Sequence, residues 1–501
     1  MRLDQISDVI IVGGGNAALC AALAASETGA TVTLLEKAPE HLRGGNSYFT
    51  GGLFRFAYDG INDIIDLIPS ITASEQECID VGTYPYGQFY EDVMRVTEGL
   101  SDPTLIQQLT SNSYPTMKWL SERGQKWILA YGRQAFKIDG VMKFWGGLIV
   151  EAVGGGQGLS DRCFDLAKRA GVGILYQTKA TSLIQNNTGR IIGVTTKDDN
   201  GYRDIGTNAV ILACGGFESN AEMRTRYLGP GWELAKVRGT QFNTGDGIRM
   251  ALDIGAMSYG HWSGCHSVAW DLNAPPYGDR NIADLFQKHS YPFGIIVNVK
   301  GERFVDEGAD FRNYTYAKYG KEILNQPQRV AFQIFDDKTK HLLRDEYHIP
   351  QTSVIKAQTV EDLADGLGIG KEGLIETVRT FNQAINEKTF DPTILDGKGT
   401  SGIHPPKSNW ALPIDKPPYL GYAVTCGITF TFGGLKINNR AQVLDTEENP
   451  LPGLYAAGEL IGGLFYNNYP GGAGLMSGSV FGKIAGYSAG QDIMQFLNRT
   501  I

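Results

Sequence analysis

The feature that constrains this chain most is an apolar run followed by three glycines near its N-terminus. Residues 9–12 are all Val or Ile, which predicts a buried parallel strand. Glycines 13–15 follow at once, and the Ala-rich segment 17–26 after them has helical propensity. A second apolar strand is predicted over 31–35, with Glu36 at its end. A strand, a glycine turn, a helix and a second strand in this order predict a parallel α/β unit.

The glycine turn fits a nucleotide-binding pattern. Gly13, Gly15 and Ala18 match the fingerprint G-x-G-x-x-G/A, and Glu36 follows about twenty residues later. Glycine lets the backbone approach a pyrophosphate, the helix N-terminus offers free N–H groups, and a carboxylate accepts hydrogen bonds from ribose hydroxyls. The pattern therefore predicts a nucleotide cofactor. A purely structural glycine turn in front of a packed helix is the alternative.

Glycine is unusually frequent along the whole chain. It accounts for 64 of 501 residues, which is nearly twice the roughly 7% of an average protein. Besides 13–15, glycines cluster at 43–52, 213–217 and 453–474. Four clusters beside apolar strands, spread from one end of the chain to the other, predict that they line one long cofactor.

The charge balance and the cysteines exclude several classes of partner. Lys and Arg number 45 and Asp and Glu 54, so the net charge is −9, and no basic run is present for nucleic acid phosphates. The longest uncharged stretch, 460–482, is interrupted by Asn467, Asn468 and Pro470, so no membrane span is predicted. Residues 1–7 carry no secretory signal, and six cysteines without a C-x-x-C pair fit a reducing cytoplasm. The histidine spacing predicts no metal site.

These motifs together resemble the succinate dehydrogenase/fumarate reductase flavoprotein superfamily over essentially the whole chain. The segments that carry the resemblance are 13–15 with Glu36, 44–47, 213–217, 301–307 and 453–459. Segments 43–50, 301–316, 427–436 and 458–474 are most similar to FAD-dependent tricarballylate dehydrogenase, and are also similar to flavoprotein precorrin-3B synthases.

The resemblance implies an α/β fold with two parts. A glutathione-reductase-like (Rossmann-type) FAD-binding domain is expected from residues 1–265 and 429–501, and an inserted α+β capping domain from 266–428. Succinate dehydrogenases attach FAD covalently through a histidine near the second glycine block. This chain has Gly45, Asn46 and Ser47 there, so non-covalent FAD is expected. The residues placed against FAD are Gly13, Gly15, Ala18, Glu36, Lys37, Gly45, Asn46, Ser47, Thr50, Gly52, Ala180, Ala213, Gly215, Gly458, Glu459, Gly474 and Leu475.

The superfamily moves a hydride between a substrate carbon and flavin N5 while a side chain of the cap exchanges a proton with the neighbouring carbon. By resemblance this side chain is Arg312, although it follows the G-x-R-F-V-x-E segment one residue later than usual. Binding a substrate carboxylate is the alternative role of Arg312, and Tyr314 and Tyr316 are alternative proton carriers. An arginine can act as a base only where a strong local electrostatic field favours loss of its proton. The expected sources of that field are Asp306, Glu307 and Asp310.

The substrate-binding positions of fumarate reductases are altered in this chain. Residues 429–432 replace a histidine, and Tyr469 with Pro470 replaces an arginine, which argues against fumarate itself. The Tyr-Pro-Gly arrangement is similar to 3-ketosteroid dehydrogenases, where the tyrosine binds a ketone, and a phenol is a sound donor to an oxyanion. His261 and His266 stand where fumarate reductases carry a substrate-binding histidine, with a structural role as the alternative.

The sequence thus predicts an FAD-dependent oxidoreductase that forms or reduces a carbon–carbon double bond next to a carboxylate or carbonyl. The predicted substrate is a small organic acid, tricarballylate-like, and the predicted catalytic residues are Arg312, Tyr469 and His266. The expected partners are this acid, or a ketone, and an external electron acceptor or donor, with iron–sulphur and quinone-linked proteins as candidates. The alternatives are a ketone desaturase of the 3-ketosteroid type, a fumarate-reductase-like enzyme, and a flavoprotein subunit of an electron-transfer or corrin-pathway complex.

Overall fold

The computed structural model describes residues 5–500, and the side-chain burial of residues 5–494. The strands are β1 (Val9–Val12), β2 (Val32–Leu35), β3 (Leu53–Phe54), β4 (Ile79–Asp80), β5 (Trp127–Leu129), β6 (Ala135–Ile138), β7 (Val141–Phe144), β8 (Val150–Ala152), β9 (Gly173–Leu175), β10 (Lys179–Gln185), β11 (Ile191–Asp198), β12 (Gly201–Gly206), β13 (Ala209–Leu212), β14 (Lys236–Val237), β15 (Ser258–Asp271), β16 (Ile295–Asn298), β17 (Ala331–Phe335), β18 (Val354–Ala357), β19 (Tyr419–Leu435), β20 (Gln442–Leu444) and β21 (Pro450–Ala456). The α-helices are α1 (Asn16–Ser26), α2 (Ile61–Leu67), α3 (Ala73–Gln76), α4 (Tyr86–Val96), α5 (Pro103–Ser111), α6 (Ser113–Glu122), α7 (Tyr131–Gln134), α8 (Gly155–Arg169), α9 (Ala221–Leu228), α10 (Asp246–Leu252), α11 (Tyr316–Leu324), α12 (Val360–Leu367), α13 (Lys371–Ala384) and α14 (Ala473–Thr500).

A six-stranded sheet in the order β20-β21-β13-β1-β2-β9 forms the centre of the first part. β1 lies between β13 and β2, and it pairs in parallel with both. All three strands are buried along their full length, which is why they read as continuous apolar runs in the sequence. The predicted strand, glycine turn, helix and strand unit is therefore confirmed.

The two ends of the chain belong to this same part. β21 pairs in parallel with β13, and α14 packs along α1. The approach of the two helices is close, since a Cβ at Gly482 would lie 2.4 Å from the carbonyl oxygen of Ala17, and one at Gly486 would lie 2.3 Å from that of Ala21. Small residues on α14 thus allow the C-terminal helix to pack against the first helix. The expected FAD-binding fold built from both ends of the chain is confirmed.

A second sheet in the order β14-β19-β17-β16 forms the cap, and β15 and β18 also pair with β19. β15 and β19 are 14 and 17 residues long and pair from Ser258 with Leu435 to Asp271 with Val424. The predicted boundaries at 265/266 and 428/429 fall inside these two strands. The two parts are thus joined by paired strands, and the division into 1–265, 266–428 and 429–501 stays a prediction.

The parallel strands place the glycine blocks at one edge of the large sheet. Glycines 13–15 follow β1, Glu36 follows β2, residues 213–217 follow β13, and residues 457–460 follow β21. The carboxyl ends of parallel strands meet at the same edge, where ligands of open α/β sheets bind. The fold therefore brings segments that are far apart in sequence to one cleft.

Candidate active site

One cleft runs from this sheet edge to the underside of the cap and encloses about 1670 Å³, its mouth included. All four glycine clusters contribute to its walls, together with residues of the cap such as His289 and Arg312. The cleft thus has the length that a large dinucleotide and a substrate require.

The first glycine turn lets the backbone pass close to other parts of the site. Gly13 has φ +115°, and a Cβ there would lie 2.4 Å from the carbonyl oxygen of Ala213. A Cβ at Gly14 would lie 2.4 Å from a carboxylate oxygen of Glu36, whereas Gly15 has room on its cleft side. α1 starts immediately afterwards, and the N–H of Asn16 donates to Oγ of Ser47 at 3.0 Å. The N-cap Gly15 offers no side chain to the next N–H groups of this turn, which are therefore available to a phosphate.

Carboxylates and lysines line the end of the cleft next to β2. Glu36 is 6% exposed and accepts a hydrogen bond from the Ala38 N–H at 2.8 Å. Burial raises the pKa of Glu36 above its ordinary value. Lys37 forms an ion pair with Asp246 at 2.7 Å. Burial would raise the pKa of Asp246, but its contacts with Lys37 and Lys179 lower it to about 2.

A buried carboxyl pair supports the middle of the cleft. Asn46, in the short 3₁₀ turn Gly45–Phe49, donates to Glu218 at 2.6 Å and to the carbonyl oxygen of Thr429 at 2.7 Å. Glu459 accepts from the Thr431 N–H at 2.8 Å and lies against Glu218. Burial first, and then the neighbouring Glu459, raises the pKa of Glu218 well above its usual range. The neutral form of Glu218 is therefore favoured in this part of the cleft.

All but two of the predicted cofactor residues line this cleft. The exceptions are Ala18 and Gly52. Ala18 lies on α1 and is fully buried. Gly52 has φ +70°, and a Cβ there would lie 2.6 Å from the backbone of Gly155. Neither residue is part of the cleft lining, and their contact with the cofactor stays a prediction. Gly14 and Asn16, which were not predicted, also line the cleft.

These residues fit FAD. The fit rests on an uncapped helix N-terminus beside glycines that exclude a Cβ, and on a buried carboxylate at the end of the second strand. The pyrophosphate would lie on the first turn of α1, the ribose next to Glu36, and the remainder of the cofactor along the strip from Asn46 to Glu459. Which residue contacts which group of FAD stays a prediction.

The opposite end of the cleft brings the three predicted catalytic residues together. His266, on β15, has its ring 4.8 Å from the ring of Tyr469 and 4.9 Å from the ring of Tyr316. Arg312 lies in the short 3₁₀ turn Arg312–Tyr314, and its Nη2 donates to the carbonyl oxygen of Arg133 at 2.5 Å. All of these side chains line the cleft.

A bulge in the β15–β19 pairing positions His266. His266 is opposite Phe430 and Ser267 is opposite Ile428, which leaves Thr429 as an extra residue on β19. The carbonyl oxygen of Thr429 is then free to accept the hydrogen bond from Asn46. Bulges of this kind turn a side chain toward a site.

The histidines at this end are neutral. Burial lowers the pKa of His266 well below its ordinary value, and the positive charge of Arg238 acts in the same direction. Burial has the same effect on the pKa of His289, helped by Arg312 and Arg238. Within residues 5–500, both ring nitrogens of His266 lack a hydrogen-bond partner, and so does Nε2 of His289. These nitrogens can therefore bind a ligand.

Two arginines at this end lack a carboxylate partner. Arg238 donates to Gln287 at 3.3 Å through Nη2, and its Nε is buried without a partner in the described part of the chain. Nε of Arg312 is likewise buried and unpartnered there. Burial lowers the pKa of Arg312 below its usual range. Arg133 differs, because it forms an ion pair with Asp284 at 2.8 Å.

The expected source of the field around Arg312 is wrong. Glu307 pairs with Arg303 at 2.6 Å, Asp310 pairs with Arg95 at 2.6 Å, and Asp306 accepts from Ser408. These three carboxylates are thus bound by residues other than Arg312. The charges that act on Arg312 are those of Glu346 and Arg133, which lie elsewhere in the sequence. His261 stacks on Tyr466 and does not line the cleft, so of the two candidate histidines only His266 faces it.

Sequence reasoning missed Arg133, Arg238 and His289. None belongs to a recognisable motif, and they come from α7, from the segment after β14 and from the loop after β15. Their common property is that all three line the same cleft as Tyr316 and Tyr469. Only a contact in space could have identified them.

Tyr469 is oriented by the glycines that follow it. The Gly472 N–H donates to the phenol oxygen of Tyr469 at 3.1 Å. Because the oxygen accepts this bond, the phenol proton is free to be donated toward the cleft. Tyr469 is thus arranged as a hydrogen-bond donor to a carbonyl or carboxylate oxygen.

Comparison with known proteins agrees with this geometry. The model of the family described as FAD binding domain matches residues 8–475. The chain belongs to this family. It is a member of the fumarate reductase/succinate dehydrogenase flavoprotein superfamily and an FAD-dependent oxidoreductase acting on carbon–carbon double bonds.

Individual relatives cover nearly the whole chain. A probable fumarate reductase, Ifc3, of Shewanella frigidimarina is 29% identical over 97% of this chain and 75% of its own. A urocanate reductase of Eggerthella lenta is 28% identical over 96% of this chain and 74% of its own. The open conformation of a flavocytochrome c3 fumarate reductase superposes with a TM-score of 0.73 at 26% identity, covering 98% of this chain and 79% of that one. In the part described, no helix is long and apolar enough to cross a membrane.

Proposed function

We propose that this enzyme forms or reduces a carbon–carbon double bond next to a carboxylate in a small organic acid with more than one carboxylate, similar to tricarballylate. The observation that carries the proposal is the pair of buried guanidinium groups, Arg238 and Arg312, that lack a carboxylate partner among the described residues. A buried charge without a counter-ion is unfavourable. Two carboxylates of a substrate would compensate both arginines.

The neighbouring groups suit the same substrate. His266 and His289 are neutral imidazoles that can each donate one hydrogen bond to a carboxylate or carbonyl oxygen. Tyr469 presents its phenol proton on the same side. Together these donors would hold the substrate and stabilise negative charge that develops on its oxygen during reaction.

Proton transfer is assigned to Arg312. FAD, when bound, supplies hydride exchange with the substrate carbon. The burial that lowers the pKa of Arg312 makes loss of its proton less costly than for an exposed arginine. Tyr316 is a weaker candidate, because burial and then Tyr469 raise its pKa well above the ordinary value and thus disfavour the phenolate.

The contact between cap and flavin domain would exclude water from this reaction. The Gly471 N–H donates to the carbonyl oxygen of Asn313 at 2.7 Å, and Asn468 Nδ2 donates to that of Tyr314 at 2.6 Å. Arg55 lies fully buried between them and donates to the carbonyl oxygen of Gly471 at 2.8 Å and the hydroxyl of Tyr314 at 3.1 Å. The segment with Arg312 and the loop with Tyr469 are thereby held together.

A ketone desaturase of the 3-ketosteroid type is the second candidate, and the orientation of Tyr469 favours it. A ketone oxygen could accept the phenol proton directly. A neutral ketone, however, would bring no carboxylate to pair with the guanidinium groups of Arg238 and Arg312. The charge of the site therefore supports the acid over the ketone.

We also propose that FAD is bound without a covalent link. The block 44–47 contains no histidine, and the histidines that line the cleft, His266 and His289, lie at the substrate end. Denaturing the protein with acid should release all of the yellow cofactor, whereas a covalent link would retain it on the chain. The external electron partner and the cytoplasmic location stay predictions.

Anaerobic mixing of the FAD-bound enzyme with a panel of substrates tests the proposal. The panel contains tricarballylate, succinate, cyclic ketones and 3-ketosteroids, and bleaching of the flavin absorption is recorded. Bleaching by a saturated di- or tricarboxylic acid is the expected result. Bleaching by ketones alone would instead establish the desaturase. Arg312→Ala should retain FAD and lose bleaching, and a normal rate in this variant would remove Arg312 from the reaction.

A further inference from the structure

The two arginines proposed to bind the substrate are connected by a continuous chain of hydrogen bonds. Arg238 donates through Nη2 to Oε1 of Gln287 at 3.3 Å, and Nε2 of Gln287 donates to Oδ2 of Asp284 at 3.1 Å. Asp284 accepts from both Nη atoms of Arg133, at 2.8 and 3.1 Å. Arg312 completes the chain by donating through Nη2 to the carbonyl oxygen of Arg133 at 2.5 Å. We call these five residues the arginine bridge, and all of them line the cleft.

The backbone around Gln287 is tied to β15. On one side of Gln287, the Asp271 N–H donates to the carbonyl oxygen of Phe286 at 2.8 Å. On the other side, the Lys288 N–H donates to the carbonyl oxygen of Ala269 at 3.0 Å. The side chain of Gln287 is itself buried. A buried side chain on a backbone held from both sides has little freedom to move, so Gln287 has a fixed position relative to the sheet of the cap.

The Asp284–Arg133 pair holds the other half of the bridge in place. Both carboxylate oxygens of Asp284 take part, which makes the contact bidentate and fixes its direction as well as its length. Gly51, in the second glycine block, packs against the pair, since a Cβ there would lie 3.0 Å from Nη1 of Arg133 and from Oδ2 of Asp284. Arg133 belongs to α7 and Asp284 to the loop after β15, so the pair joins two segments that are distant in sequence.

The amide of Gln287 has the chemistry that its place in the bridge requires. Its oxygen accepts from a guanidinium, and its NH₂ group donates to a carboxylate. A glutamate there would place a second carboxylate against Asp284, and a methionine would form neither hydrogen bond. The neutral amide also holds Arg238 without forming an ion pair with it, so the charge of Arg238 stays available to a carboxylate of the substrate.

On the basis of the function proposed above, we propose that Gln287 and Asp284 are positioning residues that set the distance between the guanidinium groups of Arg238 and Arg312. An acid with two carboxylates binds both guanidinium groups well only when its carboxylates have the matching separation. The arginine bridge therefore selects substrates by the number of carbon atoms between two carboxylates. Acids that are one methylene longer or shorter are disfavoured, because the bridge does not adjust to them.

Titration of the FAD-bound enzyme with straight-chain acids of increasing length tests the arginine bridge. The probes are malonate, succinate, glutarate and adipate, and binding is followed by the flavin difference spectrum. The wild type should bind one of them about tenfold more tightly than the acids one methylene longer or shorter.

Gln287→Met removes both hydrogen bonds of the amide and keeps a side chain of similar length. In this variant the length preference should fall to about twofold, and the dissociation constant of the preferred acid should rise about tenfold. The rate of flavin bleaching at saturating acid should stay within about twofold of the wild type, because Arg312 and Tyr469 are unchanged. The matched control is Gln383→Met, which removes an Arg–Gln hydrogen bond of 3.0 Å to Arg379 on the exposed face of α13 and should leave the length preference intact.

A second variant keeps the test valid should Gln287→Met fail to fold. Asp284→Asn keeps the shape of the side chain and weakens the bidentate contact with Arg133, so it should broaden the length preference as well. A length preference that is unchanged in the folded variants would overturn the positioning role.

The same titrations separate the positioning role from the proposed function. Should acids bleach the flavin while the wild type binds all lengths alike, the positioning role is wrong and the proposed function stands. A sharp length preference that Gln287→Met removes, without bleaching by any acid, would support the positioning role and overturn the proposed reaction. If no acid binds to the wild type, both are wrong.

Discussion

The carboxyl group of Glu151 gives the protein a pH-dependent instability that one substitution should remove. Glu151 lies on β8 with its side chain 20% exposed, 3.7 Å from Nε of Arg133. The short hydrogen bonds of Arg133, at 2.8 and 3.1 Å, go to Asp284 instead. Burial is therefore the dominant influence on the pKa of Glu151 and raises it to about 7. The positive charge of Arg133 offsets only part of this increase.

The sign and size of the effect follow from this pKa. In the unfolded chain Glu151 has its ordinary pKa of 4.5, so between pH 4.5 and 7 the folded state binds more protons. Stability therefore falls as the pH rises through this range, and the full loss is present above pH 7. A difference of about 2.5 in pKa corresponds to about 3 kcal/mol. Glu151→Gln keeps the shape of the side chain without the charge, so it should avoid this loss.

Calorimetry of the FAD-bound protein between pH 5 and 8 measures the effect. For a chain of this length, about 3 kcal/mol corresponds to a change in Tm of about 3 °C. Glu151→Gln should unfold about 3 °C above the wild type at pH 8, and about 1 °C above it at pH 5. Glu122→Gln, at a side chain that is 68% exposed, is the control and should show no such trend. If the Tm of Glu151→Gln exceeded that of the wild type by the same amount at pH 5 and at pH 8, the reasoning would be refuted.

Three further substitutions test separate parts of the site. Gly13→Ala should yield a folded protein without yellow cofactor, because its Cβ would lie 2.4 Å from the carbonyl oxygen of Ala213, whereas Gly87→Ala, with nothing within 4 Å, should stay yellow. Arg238→Gln should raise the acid concentration that gives half-maximal flavin reduction about 10- to 100-fold, with an unchanged flavin spectrum. An unaltered half-saturating concentration would remove Arg238 from substrate binding. Tyr469→Phe should slow flavin reduction about 100-fold, as expected for loss of one donor to a developing oxyanion; stopped-flow rates equal to wild type would show that the phenol is not such a donor.

The cofactor end of the site could be predicted from the sequence because its signals are local. Residues 9–12 are apolar without interruption since β1 is buried on both faces, and Gly13 is glycine since no Cβ fits beside Ala213. Ala18 and Gly52 show the limit of such signals, because a residue can belong to a motif and still lie outside the lining of the cleft.

The substrate end was decided by the tertiary structure. Arg312, Tyr469 and His266 were predicted by resemblance, yet the partners expected for Arg312, among them Glu307, turned out to bind elsewhere. A side chain forms its ion pairs with whatever the fold places beside it, and sequence distance does not determine this.

The sequence by itself therefore determined the FAD-binding fold and the position of the cofactor cleft, because strand burial and close backbone approach impose residue types one position at a time. Only the tertiary structure decided which buried side chains keep a polar atom without a hydrogen-bond partner in the described part of the chain. Arg238 and His289 are examples, and they carry no local pattern and come from separate segments. Their importance arises from what surrounds them, since a buried donor calls for a ligand only when no neighbouring residue satisfies it.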